Sequence, residues 1–529
     1  MQLMTNYYKS ILIFFILYPI ILVGQSIVMT GSDVNGEASD DYSGTSVSLN
    51  ADGDRMAIGA PYNGATKAGH TRVYALSSGS WTQLGSDING EASNDYSGWS
   101  VSMNADGDRV AIGAYYNDGN GTNAGHTRVY ALSSGSWTQL GSDVNGEASN
   151  DESGYSVSLN SDGDRMAIGA PYNDGTGSNA GHVRIYEYSG GSWSQLGSDI
   201  DGEASWDESG CAVSLNNAGD RVAIGAKYNG DGNAGHTRVY AYSDNAWTQL
   251  GSDIDGEADS DNSGWSVSLN DAGDRVAIGA YYNDGNGTNA GHTRVYAYSD
   301  NAWTQLGSDI DGEDGGDEFG WSVSLDADGD RVAIGARYAD APNAGGNAGH
   351  VRLYAYSDNA WTQLGSDIDG EAGSDNSGYS VSLNDAGDRV AIGAPYNDDN
   401  GTNSGHARVY TYDATAPATV AGLTATSYNG GASLSWTANS ESDIAKYYIY
   451  SSTDNSTYTK YSTEPTTNSI TITDLTKGTS YYYKVSAVDN SNNEGIKSSA
   501  TGLVYASRGV YVTEDGTGNG LSSGTPTES

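Results

Sequence analysis

The chain has 529 residues, with 73 Gly, 39 Tyr and 11 Trp beside only 3 Phe, 6 Met and 8 Pro. That composition describes many short strands and tight turns and excludes a helical bundle. Lys and Arg total 24 against 67 Asp and Glu, a formal charge of -43, which repels nucleic acid and anionic membranes and makes cations the natural partners.

Residues 1–24 carry Lys9, the apolar run Ile11 to Val23 and then small or polar residues, the pattern of a signal peptide. The run is about 13 residues, short of the roughly 20 that span a bilayer, and it contains Pro19. No transmembrane segment is therefore expected in the mature chain, and the protein is expected to be secreted, extracellular or on the cell surface. The single cysteine, Cys211, excludes an internal disulfide and reads as a buried small residue.

Over residues 25–413 the segment Gly-Asp-Arg-(Val/Met)-Ala-Ile-Gly-Ala recurs seven times. Its Asp falls at Asp54, Asp108, Asp164, Asp220, Asp274, Asp330 and Asp388, at spacings of 54 to 58 residues. A fixed period near 50 residues with several short strands per copy is the signature of propeller blades. The second copy yields four strand candidates: Trp99–Asn104, Arg109–Ala114, His126–Leu132 and Trp137–Gly141. Alternation supports them, since Val101 and Met103 share a face with Trp99, while the alternate positions are small: Ser100, Ser102, Ala111 and Gly113. The Trp-(Thr/Ser)-Gln-Leu-Gly strand occurs only six times, at Trp81, Trp137, Trp193, Trp247, Trp303 and Trp361. Ile27 to Gly31 precedes Ser32-Asp33 as that strand precedes Ser-Asp elsewhere, so it can complete the last copy, close a ring and remove two exposed sheet edges.

The loops after the second and fourth strands carry most of the acid. In the fifth copy the candidate metal ligands are Asp253, Asp255, Glu257, Asp259 and Asp261, and the loop Tyr282 to Asn289 adds oxygen donors beside glycines. Calcium takes six to eight oxygens in tolerant geometry and is the ion these residues suggest. Asp, Asn and Gly also form turns without any ion, and that reading stands beside it. All seven histidines, His70, His126, His182, His236, His292, His350 and His406, open the third strand in Gly-His-(Thr/Val/Ala)-Arg. A sevenfold position argues for a structural task rather than catalysis, with Arg72, Arg128 and their equivalents as partners of the acidic loops. The aromatic residues opening the first strand, Trp99, Tyr155, Trp265, Trp321 and Tyr379, read as packing between blades, with a stacking platform for sugar rings as the alternative.

Phe319-Gly-Trp-Ser-Val-Ser, Gly329-Asp-Arg-Val-Ala-Ile-Gly-Ala336 and Ile58-Gly-Ala-Pro61 resemble FG-GAP repeats, the blades of integrin α-subunit propellers. The resemblance covers about 390 residues. It implies a seven-bladed propeller, cell-surface adhesion and calcium between the first and second strands, although Asn50-Ala-Asp-Gly-Asp54 is shorter than the family's calcium loop. Residues 414–507 resemble a fibronectin type III domain, with Trp436 as its core Trp and Tyr481 as its tyrosine-corner residue. Within 508–529, Val510 to Gly520 resembles the opening of right-handed parallel β-helix domains, which would make the chain part of a longer protein; a Gly/Ser-rich tail has the same composition.

The expected fold is all-β, a seven-bladed β-propeller followed by a fibronectin type III β-sandwich. No nucleophile elbow, phosphate loop or zinc motif is present, so an enzyme is not expected. The expected function is adhesion or recognition of an extracellular protein or glycan through an acidic rim aided by calcium. The alternative is a non-catalytic accessory region of a larger exported enzyme acting on polysaccharide. The sequence leaves the oligomeric state open.

Overall fold

A computed structural model describes residues 26–504, except 231, 343, 414–415, 429–430, 442–443, 474, 477 and 490–492. The expected leader over 1–24 and the tail over 508–529, with the β-helix likeness at Val510 to Gly520, lie outside the described residues. The chain divides into two compact units, with the boundary after Asp413.

The first unit is built on the strand Arg-(Val/Met)-Ala-Ile-Gly-Ala. In Arg109–Ala114 every residue after Arg109 is buried, because both faces of the sheet pack on neighbouring sheets and small residues allow the approach. At Gly113 a Cβ would stand 2.0 Å from the carbonyl oxygen of Gly154 in the next sheet, so no larger residue fits. The small polar alternates hold the sheets together. Ser100 Oγ donates to the Gly154 carbonyl at 2.8 Å, and Ser48 Oγ accepts the Met103 amide at 2.9 Å.

Within a copy, Ser100–Met103, Arg109–Ala114, His126–Ser133 and Ser136–Gln139 pair antiparallel in that order. A fifth strand of two residues, Val144–Asn145, pairs back onto His126 and Thr127. The chain is offset at Gly141, whose φ is 77°, and continues in the same direction along the third strand, so that Val144 enters the core beside Ala111 and Val129. Among the described residues this unit forms seven sheets, six with the fifth strand and one in which Ala360–Asp369 runs through as a single fourth strand.

Two sets of bonds close them into a ring. Inner strands lie side by side in succession, and the last, Ser380–Leu383, lies against the first, Ser46–Leu49. There Ser380 Oγ donates to the Gly44 carbonyl at 2.9 Å and the Leu49 amide donates to Ser382 Oγ at 2.9 Å. At the hairpins joining first and second strands, the amides of residues 51, 105, 161, 217, 271 and 327 each donate to the carbonyl of the next residue in that series. Asp385 donates back to Ala51 at 3.1 Å.

The amino-terminal strand Ser26–Met29 pairs antiparallel with His406–Asp413, placing Ile27 opposite Tyr412. Trp81 Nε1 donates to the Thr30 carbonyl at 2.9 Å, as Trp137 Nε1 does to that of Leu84. The start of the described chain thus supplies what a Trp strand supplies to the other sheets.

In the second unit Thr424–Tyr428, Gly431–Ser435 and Ser469–Thr473 form one sheet; Thr459–Lys460, Ile444–Ser452, Ser480–Asp489 and Thr501–Val504 form another. Trp436 packs with Tyr447, ring centroids 5.1 Å apart, in a core with Ile449, Tyr483 and Val485. The Tyr481 hydroxyl accepts the Thr476 amide at 3.0 Å, the bond of a tyrosine corner. The fold is all-β, a propeller and a sandwich. Among the described residues no helix is long and apolar enough to cross a membrane.

Candidate functional site

Second strands end, third strands begin and sheet-to-sheet linkers pass at one rim of the propeller, since Ala114 pairs with His126 and His126 with Asn145. The five carboxylates of the fifth copy lie here in three different settings. Asp253 Oδ1 accepts from Gln249 Nε2 at 2.6 Å, and its Oδ2 is 3.9 Å from His236 Nδ1. Glu257 stands against the next sheet, 3.9 Å from His292 Nδ1 and 3.5 Å from Arg294. Asp261 is buried and accepts from the Ala258 amide and Asn283 Nδ2, both at 3.0 Å, so it clamps its own loop. Asp255 and Asp259 are exposed.

Calcium wants six to eight oxygens around one point; of these five residues, Asp253 and Glu257 stand beside different histidines, His236 and His292, and Asp261 is engaged within its own loop. The hairpin between first and second strands fits calcium no better. Asn104 Oδ1 accepts the amides of Asp108 and Arg109 at 3.0 and 2.8 Å, and its Nδ2 donates to Asp108 Oδ1 at 3.0 Å. An amide side chain fills the loop that an ion would occupy.

The histidines have a setting that their sequence position did not reveal. His70, His126, His182 and His236 each gather a Glu from the preceding linker and an Asp from beyond the fourth strand: Glu37 and Asp87, Glu91 and Asp143, Glu147 and Asp199, Glu203 and Asp253. In each group one atom from every member lies within 4.8 Å of the others. Burial, with Arg72 second, lowers the His70 pKa to about 4, and burial with Arg128 does the same for His126; the rings are neutral at neutral pH. The expected Arg partnerships are present, Arg72 lying 3.7 Å from Glu37 and donating to the Asn35 carbonyl at 2.8 Å. The signal in the sequence was a Glu 33 to 35 residues before, and an Asp 17 residues after, each of these histidines.

At the axis of the same rim the repeat varies. Positions 42, 96, 152, 208, 262, 318 and 376 share one left-handed conformation, φ 53–56°, but carry Tyr, Tyr, Glu, Glu, Asn, Glu and Asn. Around them the aromatic residues opening the inner strands meet across sheets: Trp99 and Tyr155 at 5.8 Å, Trp265 and Trp321 at 4.4 Å, Trp321 and Tyr379 at 5.5 Å between centroids. Trp321 is buried and the other four are half-buried, as packing between blades requires. Above them stands a second aromatic set that sequence reasoning did not single out, the Tyr ending each Gly-Ala-x-Tyr run. Tyr62 lies 4.8 Å from both Tyr42 and Tyr96, and Tyr396 is 5.2 Å from Tyr42.

Two cations are fixed among the rings. Lys227 is 2.9 Å from Glu208 and 4.6 Å from the Trp265 centroid. Arg337 is 2.7 Å from Glu318 and 4.3 Å from the Tyr338 centroid. Burial, with Glu208 second, raises the Glu152 carboxyl to about 7. Flat faces, fixed cations and a carboxyl that can donate make a mouth able to stack on and hydrogen-bond a polar ring or side chain.

Comparison with known families agrees with this architecture. A model described as FG-GAP repeat matches residues 89–130, 144–186, 309–354 and 367–410, and one described as fibronectin type III domain matches residues 415–501. The chain carries four matched FG-GAP repeats and one fibronectin type III domain. No curated protein matches it. Among solved structures, a Bacteroides uniformis protein provisionally named a 6-phosphogluconolactonase aligns at 12% identity, covering 65% of this chain and 89% of that one, TM-score 0.45. U3-55K aligns at 12% identity over 73% of this chain and 98% of that one, TM-score 0.42. FG-GAP and fibronectin type III domains are typically non-catalytic and typical of extracellular recognition or adhesion proteins.

Proposed function

We propose that this is an exported, non-catalytic recognition or adhesion protein whose propeller rim binds an extracellular glycan or protein, the sandwich acting as a spacer. One observation supports the reading above others. Seven backbone positions of identical conformation at the axial mouth carry different side chains, whereas the residues that bond sheet to sheet repeat almost unchanged. A ring needs equivalent parts to close, but a ligand without sevenfold symmetry needs a site that breaks the repeat. The surrounding acid disfavours anionic partners, so neutral or amino sugars and basic protein surfaces are the fitting classes.

A glycan and matrix-protein array probed with the whole chain, in calcium and in chelator, tests this. Retention of a neutral, amino-sugar or basic ligand is expected; retention of nothing, or of sulfated glycans alone, would count against it. Loss of retention in chelator that calcium restores would add calcium to the binding face.

A further inference from the structure

The junction between the third and fourth sheets holds His236 at 1% exposure with a hydrogen bond at neither ring nitrogen. Its Nδ1 faces Glu203 Oε2 and Asp253 Oδ2, each 3.9 Å away. That is too long for a hydrogen bond, yet the three atoms converge. The outer oxygen of each carboxylate is already anchored: Glu203 Oε1 lies 3.6 Å from Arg238, and Asp253 Oδ1 accepts from Gln249 at 2.6 Å. What remains is one imidazole nitrogen and two carboxylate oxygens aimed at a common point, of which Glu203 Oε2 also accepts a long bond from Asn229 Nδ2 at 3.5 Å.

We propose that this junction, and those at His70, His126 and His182, each bind one first-row divalent cation of the zinc type through these three side chains. Ligands about 2.0–2.2 Å from one tetrahedral zinc ion stand about 3.3–3.6 Å apart, so the 3.9 Å separations from His236 Nδ1 need an inward shift of about 0.3–0.6 Å. Glu203, whose side chain is 46% exposed, can make it by giving up the long bond from Asn229. One imidazole with two carboxylates suits zinc and its neighbours, with water completing the shell, whereas calcium would want more oxygens and no nitrogen. Such an ion would tie the linker of one sheet to the next.

The junction between the fifth and sixth sheets is a built-in contrast. There Arg352 lies 2.6 Å from Glu313 and 2.9 Å from Asp367, so a guanidinium already holds both carboxylates beside His350. No ion is expected at that place.

The test is zinc uptake by the metal-stripped full chain, measured by equilibrium dialysis with elemental analysis. Glu203→Gln and Asp253→Asn should each bind one equivalent less than the native chain, and Glu313→Gln should bind as much as native. Excess calcium should displace none of the bound zinc. Cobalt in place of zinc should give visible absorption that weakens in Glu203→Gln. Glu203 is exposed, so its variant keeps the fold where a substitution at buried His236 need not, and circular dichroism checks this. No zinc uptake, equal uptake by native and Glu203→Gln, or an equal loss in Glu313→Gln would overturn the proposal.

Discussion

Ala212 stands where the other inner strands place a serine. Ser46, Ser100, Ser156, Ser266, Ser322 and Ser380 each donate to a glycine carbonyl of the next sheet at 2.8–2.9 Å. In the fourth sheet the equivalent Gly264 carbonyl has only the Cys211 thiol, at 3.5 Å, a weak donor. Ala212→Ser should therefore stabilise the propeller by about 1 kcal/mol, seen as a higher thermal midpoint; an unchanged or lower midpoint would show that the bond does not form. The sequence shows the small polar alternation of these serines, and it marks Cys211 as buried. It does not show what the serines bond, because the acceptor belongs to the next copy. The histidines were obscure for the same reason, each cluster drawing a carboxylate from the preceding linker.

At the scale of elements, the closing strand tests the ring. Removing Ile27 to Gly31 takes away the pairing with His406–Asp413, the Trp81 bond to Thr30, and Ile27 from the cluster around Tyr412 and Leu383. Several hydrogen bonds at about 1 kcal/mol each, with the lost burial, should lower the midpoint on the order of 5–10 °C; an unaltered melt would mean that the strand does not close the last sheet. This element was legible because one motif occurs seven times and the Trp strand six. The two-residue strand Val144–Asn145 was not, since two residues carry no periodicity.

For the whole molecule, the backbone ring at the far end has a charge consequence. Asp271 belongs to it, and burial, followed by Asp385 and Asp328, raises its carboxyl from 3.8 to about 6. A carboxyl that holds its proton more tightly when folded favours the folded state at low pH and loses that contribution as pH rises from about 4 to about 6. Asp271→Asn keeps an acceptor for Asn217, which donates to Asp271 at 2.6 Å. Its midpoint should exceed the native one above pH 6 and converge with it below pH 4; a difference independent of pH would contradict the assignment.

The ring and the acidic rim were readable from repetition. The mouth was not, because its residues vary from copy to copy and only the closed ring brings them together. The most direct measurement of the account is surface plasmon resonance of the array-selected ligand on two triple variants from opposite ends of the propeller. Tyr282→Ala, Tyr338→Ala and Tyr396→Ala at the mouth should weaken binding at least about tenfold, the equivalent of about 1.4 kcal/mol. Asp52→Asn, Asp106→Asn and Asp162→Asn, on exposed hairpin residues of the far end, should leave it unchanged. Equal binding by the mouth variant and the native chain, or loss on the far-end variant alone, would contradict it.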